Sequence, residues 1–474
     1  MELERNDVER IVTEVLQEVQ KKNASPEIIK KSPGEGMGIF PSVSSAIPAS
    51  RKAQETLLTL KLEVRENIIK AIRETALQYT EQLASMTLED TGMGRYEDKI
   101  KKIHIAALRT PGLEDLKTES FSGDHGLTIV ERSAYGVISS VTPSTHPVPT
   151  LINNAISMIA GGNSIFFNPH PAGKRVFKYT VTLLNQAIAD AGGPENLITC
   201  LGFPTIETTQ ESFAHKDVDL IVVTGGPGVV MEALKYPKRV IGAGPGNPPV
   251  VVDETADLKK AACSIVEGGT FDNNIFCTSE KEIFVVDSVA DELKKELLNY
   301  KCHELSSLQI DHLAEQAVTD PGAEHPVMNR KLVGRNASVL AEAVGLKVDD
   351  DIRFLIGETA PGHIFVRAEQ LMPFMPLVRV KNVDEAIQMA IKYEHGFRHS
   401  AIMHSLNLKS LDKMAKLSGV TIFVKNGPSY AGLGVGGQGS TSYTIAGTTG
   451  EGITTASTFT RKRRCVLVDY FRIV

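Results

Sequence analysis

Apolar and polar positions alternate along the chain with two different periods. From about residue 44 to residue 110, apolar residues recur at helical spacing among Ala, Lys and Glu, with few helix breakers. After residue 136, short apolar runs alternate with helical stretches, which is typical of a parallel, doubly wound α/β sheet. The strands predicted there are 136–141, 164–167, 197–201 and 220–223, and the helices are 150–160 and 173–191.

A second alternating block begins near residue 250 and predicts a second α/β domain. Its predicted strands are 250–252, 283–286, 364–366 and 421–424, and its helices are 289–299 and 383–393. Two distant pieces, 118–135 and 455–474, alternate like half-exposed strands and predict a small β-ribbon.

The first residues form a separate unit. Val8, Ile11, Val15 and Val19 recur at helical spacing and predict an amphipathic helix over 1–22, followed by a Ser/Pro/Gly-containing linker over 23–43. An isolated helix of this length is marginal and must dock on a surface. That surface is either its own domain or a groove on another protein, and the helix pattern alone leaves both open.

Composition narrows the function classes. The chain of 474 residues has a net charge of −6, which argues against nucleic acid as its partner. It has no uninterrupted apolar run of membrane-spanning length, so we predict no membrane span. The 5 cysteines are scattered without a CxxC pair, and we predict free thiols, a reducing cytoplasm and no metal site.

Cys277 is the candidate nucleophile. It ends a glycine-entered polar segment, 268–277, and a predicted buried strand follows shortly after it. A thiol in such a place is presented to a ligand, as nucleophilic catalysis requires. The alternative is that Cys277 is an ordinary small buried hydrophobe.

Two glycine-rich segments are candidate phosphate sites. The strand 220–223 runs into Thr224-Gly225-Gly226 and then a predicted helix, a turn that lets phosphate approach backbone N–H groups, although a plain tight turn fits equally well. A literal GxGxxG occurs at 432–437, but no helical pattern follows it, so we interpret it as a flexible loop.

Polar residues also follow the strands 136–141 and 164–167. They are Thr142 to Pro147 and Asn168 to Pro171, at strand ends where ligands bind in open α/β sheets. His146 is a candidate general base or a solvent-facing loop histidine. The basic run 461–464 suits either a polyphosphate or a solvated ribbon face.

Taken together, these segments resemble the aldehyde dehydrogenase superfamily, and within it the CoA-acylating branch of the bacterial microcompartments for ethanolamine and propanediol utilisation. The resemblance covers essentially the whole chain. The segments that carry it are 141–145, 153–157, 168–171, 222–226, 244–249, 271–277, 423–427 and 448–452.

The resemblance implies an aldehyde dehydrogenase-like fold of two doubly wound α/β domains with a β-ribbon for oligomerisation. The cofactor-binding domain would be 44–117 with 136–240, the catalytic domain 241–445, and the ribbon 118–135 with 455–474. It implies catalytic roles for Cys277 and Thr145. The cofactor-binding residues it implies are Thr142, Pro143, Ser144, Asn168, His170, Thr224, Gly225, Gly226, Val229, Gly244 and Phe374.

Two departures from the family pattern are informative. Ala243 falls where hydrolytic relatives carry the glutamate that activates water, so a thioester would resist water and the thiol of CoA would accept the acyl group. Met372 falls where the family has a ribose-binding glutamate, which implies a looser grip on the cofactor.

We therefore expect oxidation of a short-chain aldehyde, propanal favoured and acetaldehyde close, with NAD and CoA to acyl-CoA and NADH. The expected location is the cytoplasm within a microcompartment, where residues 1–22 would bind a shell protein, and the expected assembly is a homodimer or homotetramer. The alternatives are a hydrolytic aldehyde dehydrogenase and a non-catalytic shell-binding scaffold. The roles of His146 and His399 stay open.

Overall fold

The computed structural model describes residues 36–322 and 326–473. The predicted helix 1–22 and residues 23–35 of the predicted linker lie outside the described residues.

The first half of the described chain contains an α-helical layer, a β-hairpin and six strands of a parallel sheet. Its elements are β1 (Ile39–Phe40), α1 (Val43–Thr59), α2 (Leu62–Gln78), α3 (Thr80–Thr91), α4 (Tyr96–Arg109), β2 (Glu119–Gly123), β3 (Gly126–Ala134), β4 (Val137–Thr142), α5 (Pro147–Ala160), β5 (Ser164–Pro169), α6 (Lys174–Asp190), β6 (Ile198–Leu201), α7 (Ile206–Ala214), β7 (Leu220–Thr224), α8 (Pro227–Ala233) and β8 (Arg239–Ala243).

The second half contains another parallel sheet with its helices and the last ribbon strand. Its elements are β9 (Pro249–Val252), α9 (Leu258–Gly269), β10 (Glu282–Val286), α10 (Asp287–Leu298), β11 (Cys302–Glu304), α11 (Ser307–Ala317), α12 (Ala337–Ala343), β12 (Phe354–Glu358), α13 (Ile364–Arg367), β13 (Phe374–Val380), α14 (Val383–Tyr393), β14 (Ser400–His404), α15 (Leu408–Ser418), β15 (Ile422–Lys425), β16 (Ile445–Ala446), β17 (Gly452–Ile453) and β18 (Thr460–Val468).

Both large sheets are parallel and covered on two faces. The first has the strand order β1-β6-β5-β4-β7-β8, and the second has the order β11-β12-β13-β10-β9-β14-β15. In β7, Leu220 and Val222 pack in one apolar cluster while Ile221 and Val223 pack in another on the opposite face. This alternation explains why β7 is a continuous apolar run, because every side chain of a doubly covered strand is buried. The predicted doubly wound fold is confirmed.

The predicted ribbon is a three-stranded antiparallel sheet in the order β18-β3-β2. Strand β18 pairs with β3 along its whole length, from Thr460 opposite Ala134 to Val468 opposite Gly126. Asn163 joins the ribbon to the first sheet, since its amide donates to the carbonyl of Phe459 at 2.9 Å and its oxygen accepts from the N–H of Tyr135 at 2.8 Å.

Several predicted boundaries are wrong. Residues 39–43 of the predicted linker are β1 and the start of α1, and β1 pairs with β6. The domain boundary at 240 cuts β8, which belongs to the first sheet. Residues 364–366 are not a strand but part of the helical turn α13, which begins because the His363 ring accepts from the N–H of Phe365.

Candidate active site

A cleft lies at the carboxyl ends of the first sheet's strands. It has a volume of about 550 Å³. The segments that follow β4, β5, β7 and β8 all reach it, because the carboxyl ends of parallel strands meet at one edge. The second α/β unit provides the opposite wall through Met328, Arg330, Val333, Arg367, Glu369 and Leu371.

The segment that ends at Cys277 contains a turn of unusual backbone geometry. Asp272, Asn273 and Asn274 have φ angles of 50°, 55° and 65°, so three successive residues with side chains are left-handed. The left-handed conformation costs roughly 1–2 kcal/mol per residue, and Asn and Asp tolerate it best. Such a turn persists only where the surrounding structure holds it.

Hydrogen bonds from side chains hold each of the three residues. The Asp272 carboxylate accepts from the Arg95 N–H at 2.8 Å and from the Lys99 ammonium at 2.7 Å. The Asn273 amide donates to the Gly334 carbonyl at 3.0 Å. Gly94 is required beside this turn, since its φ is +81° and a Cβ there would lie 1.9 Å from Asp272 Oδ1.

The third residue of the turn joins it to the segment after the cysteine. The Asn274 amide donates to the carbonyls of Gly269 and Glu280, each at 2.8 Å, and the Lys281 ammonium donates to the Asn274 carbonyl at 2.7 Å. Cys277 is therefore carried on a loop that is fastened on both sides. Because the loop is held on both sides, the thiol is in position before any ligand binds.

The polar segment after the cysteine is buried. Ser279, Glu280, Lys281 and Glu282 are at most 1% exposed. The Glu280 carboxylate accepts from the N–H and the hydroxyl of Ser429, both at 2.8 Å, and burial raises its pKa to about 7. Glu280 and Lys281 therefore have partners inside the protein, whereas Ser279 Oγ and Glu282 Oε2 are buried without a hydrogen-bond partner among the described residues.

Cys277 itself is partly exposed. Burial and the nearby Glu369 carboxylate raise the pKa of its thiol to about 12, while Lys281 and Lys102 act in the opposite direction. Burial likewise raises the pKa of Glu369 to about 7, against the opposing effect of Lys281. The resting cysteine is thus a protonated thiol, and its activation requires a base or additional positive charge in the cleft.

Two histidines lie near this thiol, and both are buried. His146 is 3% exposed and packs edge-on against Phe276, with ring centroids 5.5 Å apart, so its interpretation as a solvent-facing loop residue is wrong. Burial and the ammonium groups of Lys102 and Lys99 lower its pKa well below the ordinary value. The general-base alternative for His146 stays a prediction.

His399 is closer to the backbone of the cysteine. A Cβ placed on Gly246 would lie 2.7 Å from the Cys277 carbonyl oxygen and 2.9 Å from His399 Cγ, so the three groups are in close contact. Burial and Lys281 lower the pKa of His399 to about 4, and its Nδ1 is hydrogen-bonded to the Ser400 hydroxyl at 2.6 Å. Its imidazole is neutral at neutral pH.

The structure brings part of the predicted cofactor set into the cleft. Ser144, Thr145, His170 and Gly226 line it. Pro143, Gly225 and Gly244 are half-buried beside these residues. Their roles, and that of Thr145 in catalysis, stay predictions.

Other predicted cofactor residues do not reach the cleft through their side chains. The Asn168 amide donates to the Ser139 hydroxyl at 2.9 Å, and the Thr224 hydroxyl is bonded to that of Thr444 at 2.7 Å. Thr142 is 1% exposed, and Val229 is exposed on α8. Asn168 and Thr224 are thus bonded to other side chains beneath the cleft, which strand-end position alone does not reveal.

The assignments in the segment before β13 need correction. Phe374 is fully buried and packs on Phe365 with ring centroids 4.8 Å apart, so the structure does not support a cofactor contact. Met372 is also fully buried, whereas Glu369 and Leu371 line the cleft. The segment therefore does supply a carboxylate to the cleft, and the argument for a looser grip on the cofactor is not supported.

Sequence reasoning missed further charged residues of the site. Arg330 and Arg367 line the cleft, and burial together with Arg330 lowers the pKa of His170. No motif marks these arginines, of which Arg330 lies in a loop and Arg367 ends the short helix α13. Within residues 36–322 and 326–473 there is no group of three or more His, Cys, Asp or Glu side chains that could hold a metal, and no helix long and apolar enough to cross a membrane.

Comparisons with known proteins agree with this geometry. The profile of the aldehyde dehydrogenase family matches residues 40–345. The acetylating acetaldehyde dehydrogenase EutE of Salmonella typhimurium is 46% identical over 474 residues, with 100% of both chains covered.

Two solved structures are similarly related. The propionaldehyde dehydrogenase of Rhodopseudomonas palustris, with bound CoA and an acylated cysteine, is 45% identical with a TM-score of 0.89, covering 93% of this chain and 99% of its own. The propionaldehyde dehydrogenase of a Clostridium phytofermentans fucose-utilisation microcompartment is 44% identical with a TM-score of 0.90, covering 92% of this chain and 100% of its own. The chain belongs to the aldehyde dehydrogenase family, in the CoA-acylating branch associated with bacterial microcompartments.

Proposed function

We propose that the protein oxidises a short-chain aldehyde, propanal in preference to acetaldehyde, with NAD and CoA to give acyl-CoA and NADH. The observation that carries this proposal is Ala243 at the end of β8, 3% exposed and without a carboxylate to activate water, in a site whose cysteine lies on a fastened loop. A thioester on Cys277 therefore lacks a water-activating carboxylate at the position where hydrolytic relatives carry one, and the thiol of CoA accepts its acyl group.

Cys277 forms the covalent intermediate. Its sulfur attacks the aldehyde carbon, the thiol proton leaves to a base, and the carbonyl oxygen becomes the oxyanion of a thiohemiacetal. The Cys277 N–H and the Thr145 hydroxyl would stabilise that oxyanion. NAD, when bound, accepts the hydride from this carbon and leaves a thioacyl-enzyme. The CoA thiolate then attacks the thioester carbonyl, and Cys277 departs as a thiolate that regains its proton.

The residues in the cleft fit a nicotinamide dinucleotide. An added Cβ at Gly225 or Gly226 meets no atom within 4 Å, so the backbone after β7 is open to a close-lying ligand. Arg330 and Arg367 offer positive charge to phosphates, and Ser144 and Thr145 offer hydroxyls. The choice of NAD rests on the family resemblance.

The aldehyde would contact the apolar part of the cleft. Phe271, Ile275 and Phe276 are near Cys277 in the sequence, but they are at most 8% exposed and pack in the core. Met93, Met328, Val333 and Leu371 line the cleft instead. One methylene distinguishes propanal from acetaldehyde and contributes roughly 1 kcal/mol in an apolar pocket, so a modest preference is expected.

We also propose encapsulation in a bacterial microcompartment, with residues 1–22 binding a shell protein, and a homodimer or homotetramer joined through the ribbon. Apolar side chains of β18 support the ribbon contact, since Val466, Leu467 and Val468 are 56%, 41% and 58% exposed. The similar propionaldehyde dehydrogenase from the Clostridium phytofermentans microcompartment supports the proposed location.

The test follows NADH absorbance after the enzyme is mixed with NAD and propanal, with CoA added later. We expect at most one NADH per subunit before CoA, and sustained turnover afterwards. The Cys277→Ala variant should give neither phase. Cys263→Ala, which removes a partly exposed free cysteine outside the cleft, is the matched control and should behave as the wild type.

Equal turnover with and without CoA would instead show that water resolves the thioester, as in a hydrolytic aldehyde dehydrogenase. Absence of NADH with every short aldehyde would favour the non-catalytic scaffold.

A further inference from the structure

Two lysines of α4 are buried beside the loop that carries Cys277. Lys99 is 2% exposed and Lys102 is 0% exposed. Both ammonium groups lie 2.7 Å from the same oxygen, Oδ2 of Asp272, which is fully buried. Burial alone would raise the pKa of Asp272, but the two ammonium groups outweigh it and lower that pKa, so the carboxylate is ionised.

A second buried carboxylate belongs to the cluster, because Asp98 accepts from the Asp272 N–H at 3.1 Å. Two more cations contact Asp98 from the surface: Arg353 lies 3.3 Å from it and is 31% exposed, and Lys101 lies 3.2 Å from it and is 64% exposed. The buried charges are therefore two ammonium groups and two carboxylates. Desolvating four charges is costly, which makes their retention here informative.

Lys102 places one of these charges against the residue that precedes the cysteine. The Lys102 ammonium lies 4.8 Å from the centroid of the Phe276 ring, and Phe276 immediately precedes Cys277. The Tyr443 hydroxyl donates to the Lys102 carbonyl at 2.9 Å, and the Tyr443 and Phe276 ring centroids are 5.5 Å apart. Among the described residues, Lys99 makes no such contact with the Phe276 ring.

We propose that Lys102 is an electrostatic positioning residue for Cys277, because the positive charge it holds behind the Phe276 ring stabilises the thiolate. The proposal rests on the role of Cys277 as the nucleophile. It gives the second lysine a role that the left-handed turn does not require, since Lys99 already donates to the Asp272 carboxylate at 2.7 Å.

The electrostatic surroundings of the thiol agree with this role. Burial and Glu369 raise the pKa of Cys277, and Lys281 and Lys102 counteract them. Lys102 also lowers the pKa of His146, so its field reaches the residues around the cysteine. The titratable groups that face the thiol or Lys102 are Glu369, Lys281, Tyr443, His399, His146, Lys99 and Asp272.

The test measures the rate at which iodoacetamide alkylates Cys277, as a function of pH, in the full-length enzyme without cofactor. Lys102→Met removes the charge and keeps the length of the side chain. Lys99→Met is the matched control, because it is equally buried and also leaves one lysine on Asp272. Mass spectrometry of the cysteine peptide identifies the alkylated residue.

We expect Lys102→Met to slow the alkylation of Cys277 about tenfold at neutral pH, the effect of about one pKa unit from a single charge at an effective dielectric constant near 20. The control Lys99→Met should react more than threefold faster than Lys102→Met. Lys102→Arg, which keeps the charge, should restore most of the rate. A structural role alone would not separate these variants by charge.

Equal slowing in both methionine variants would overturn the proposal, as would an unchanged rate in folded Lys102→Met. If Lys102→Met does not fold, Lys102→Gln takes its place with the same expectation. Failure of the proposed role of Cys277 as the nucleophile would give a different result from failure of the Lys102 proposal. If Cys277 is not the nucleophile, wild-type enzyme alkylated at Cys277 keeps its turnover, whatever the alkylation rates of the Lys102 variants are.

Discussion

The carboxylate of Asp272 is the best place to test how the cysteine loop is held. Asp272→Asn keeps the size of the side chain and removes its charge. The amide oxygen can still accept from the Arg95 N–H, but the ammonium groups of Lys99 and Lys102 lose the anion that lies 2.7 Å from each. The substitution therefore isolates the electrostatic contribution.

The size of the effect follows from the burial of all three groups. Removing one partner of a buried ion pair costs about 3–5 kcal/mol, because the other partner is left uncompensated. For a chain of this size the unfolding entropy is about 1 kcal/mol per degree, so we expect the apparent unfolding midpoint to fall by about 3–5 °C. Asp291→Asn is the control, since Asp291 pairs with Arg379 while being 82% exposed, and should change stability by less than about 1 kcal/mol.

The loss should depend on pH in a defined direction. In the wild type, burial lowers the pKa of Lys99 to about 8 although Asp272 opposes the shift. The unfolded chain binds the Lys99 proton more tightly than the folded chain. The loss of folding stability caused by burying the charged Lys99 is therefore full below pH 8, and it diminishes as pH rises toward the ordinary lysine pKa of about 10.4. Without Asp272 the pKa of Lys99 falls further, and the destabilisation should be larger at pH 7 than at pH 10.

Differential scanning calorimetry at one scan rate measures the midpoints of both variants at the two pH values. A loss below about 1 kcal/mol at pH 7, equal to that of Asp291→Asn, would refute the account of the buried cluster. A loss that grows with pH would show that the lysine charges are not its cause.

Two further predictions concern the thiol and its loop. Glu369→Gln should speed the alkylation of Cys277 by iodoacetamide several-fold at neutral pH, since the Glu369 carboxylate raises the pKa of the thiol. A slower reaction would instead indicate that Glu369 takes the thiol proton. Gly246→Ala should lower kcat by about a hundredfold, the effect of displacing a reacting group by about 1 Å, because its Cβ would lie 2.7 Å from the Cys277 carbonyl oxygen. Gly362→Ala, where an added Cβ meets no atom within 4 Å, should leave kcat unchanged, and equal kcat values for both glycine variants would contradict the contact.

The sequence predicted the sheets best where strands are continuously apolar. The runs at 220–223 and 283–286 are covered on both faces, so every position is apolar and the pattern is unambiguous. The edge strands β1, β8 and β11 were not predicted, because short strands at a sheet edge carry little periodic signal. The inner strands β12, β13 and β14 were also missed. Their apolar pattern is interrupted by Gly357 in β12, by Pro376 and Arg379 in β13 and by His404 in β14.

The candidate site was predictable in its motifs and not in its charges. The cysteine and the strand-end loops were found, because strand ends and glycine turns are local features. The burial of Lys99 and Lys102 depends on Asp272, which is distant in the chain, and a lysine on a helix is ordinarily solvated. The left-handed turn at 272–274 likewise depends on contacts from α4 and from residue 334.

The central claim is that Cys277 carries the acyl group and that CoA removes it. Mass spectrometry of enzyme mixed with propanal and NAD, quenched before and after addition of CoA, tests it most directly. The account predicts a propionyl group on the peptide containing Cys277, stable in water and lost within one turnover when CoA is added. An acyl group on another residue, or its disappearance at the same rate without CoA, would contradict it.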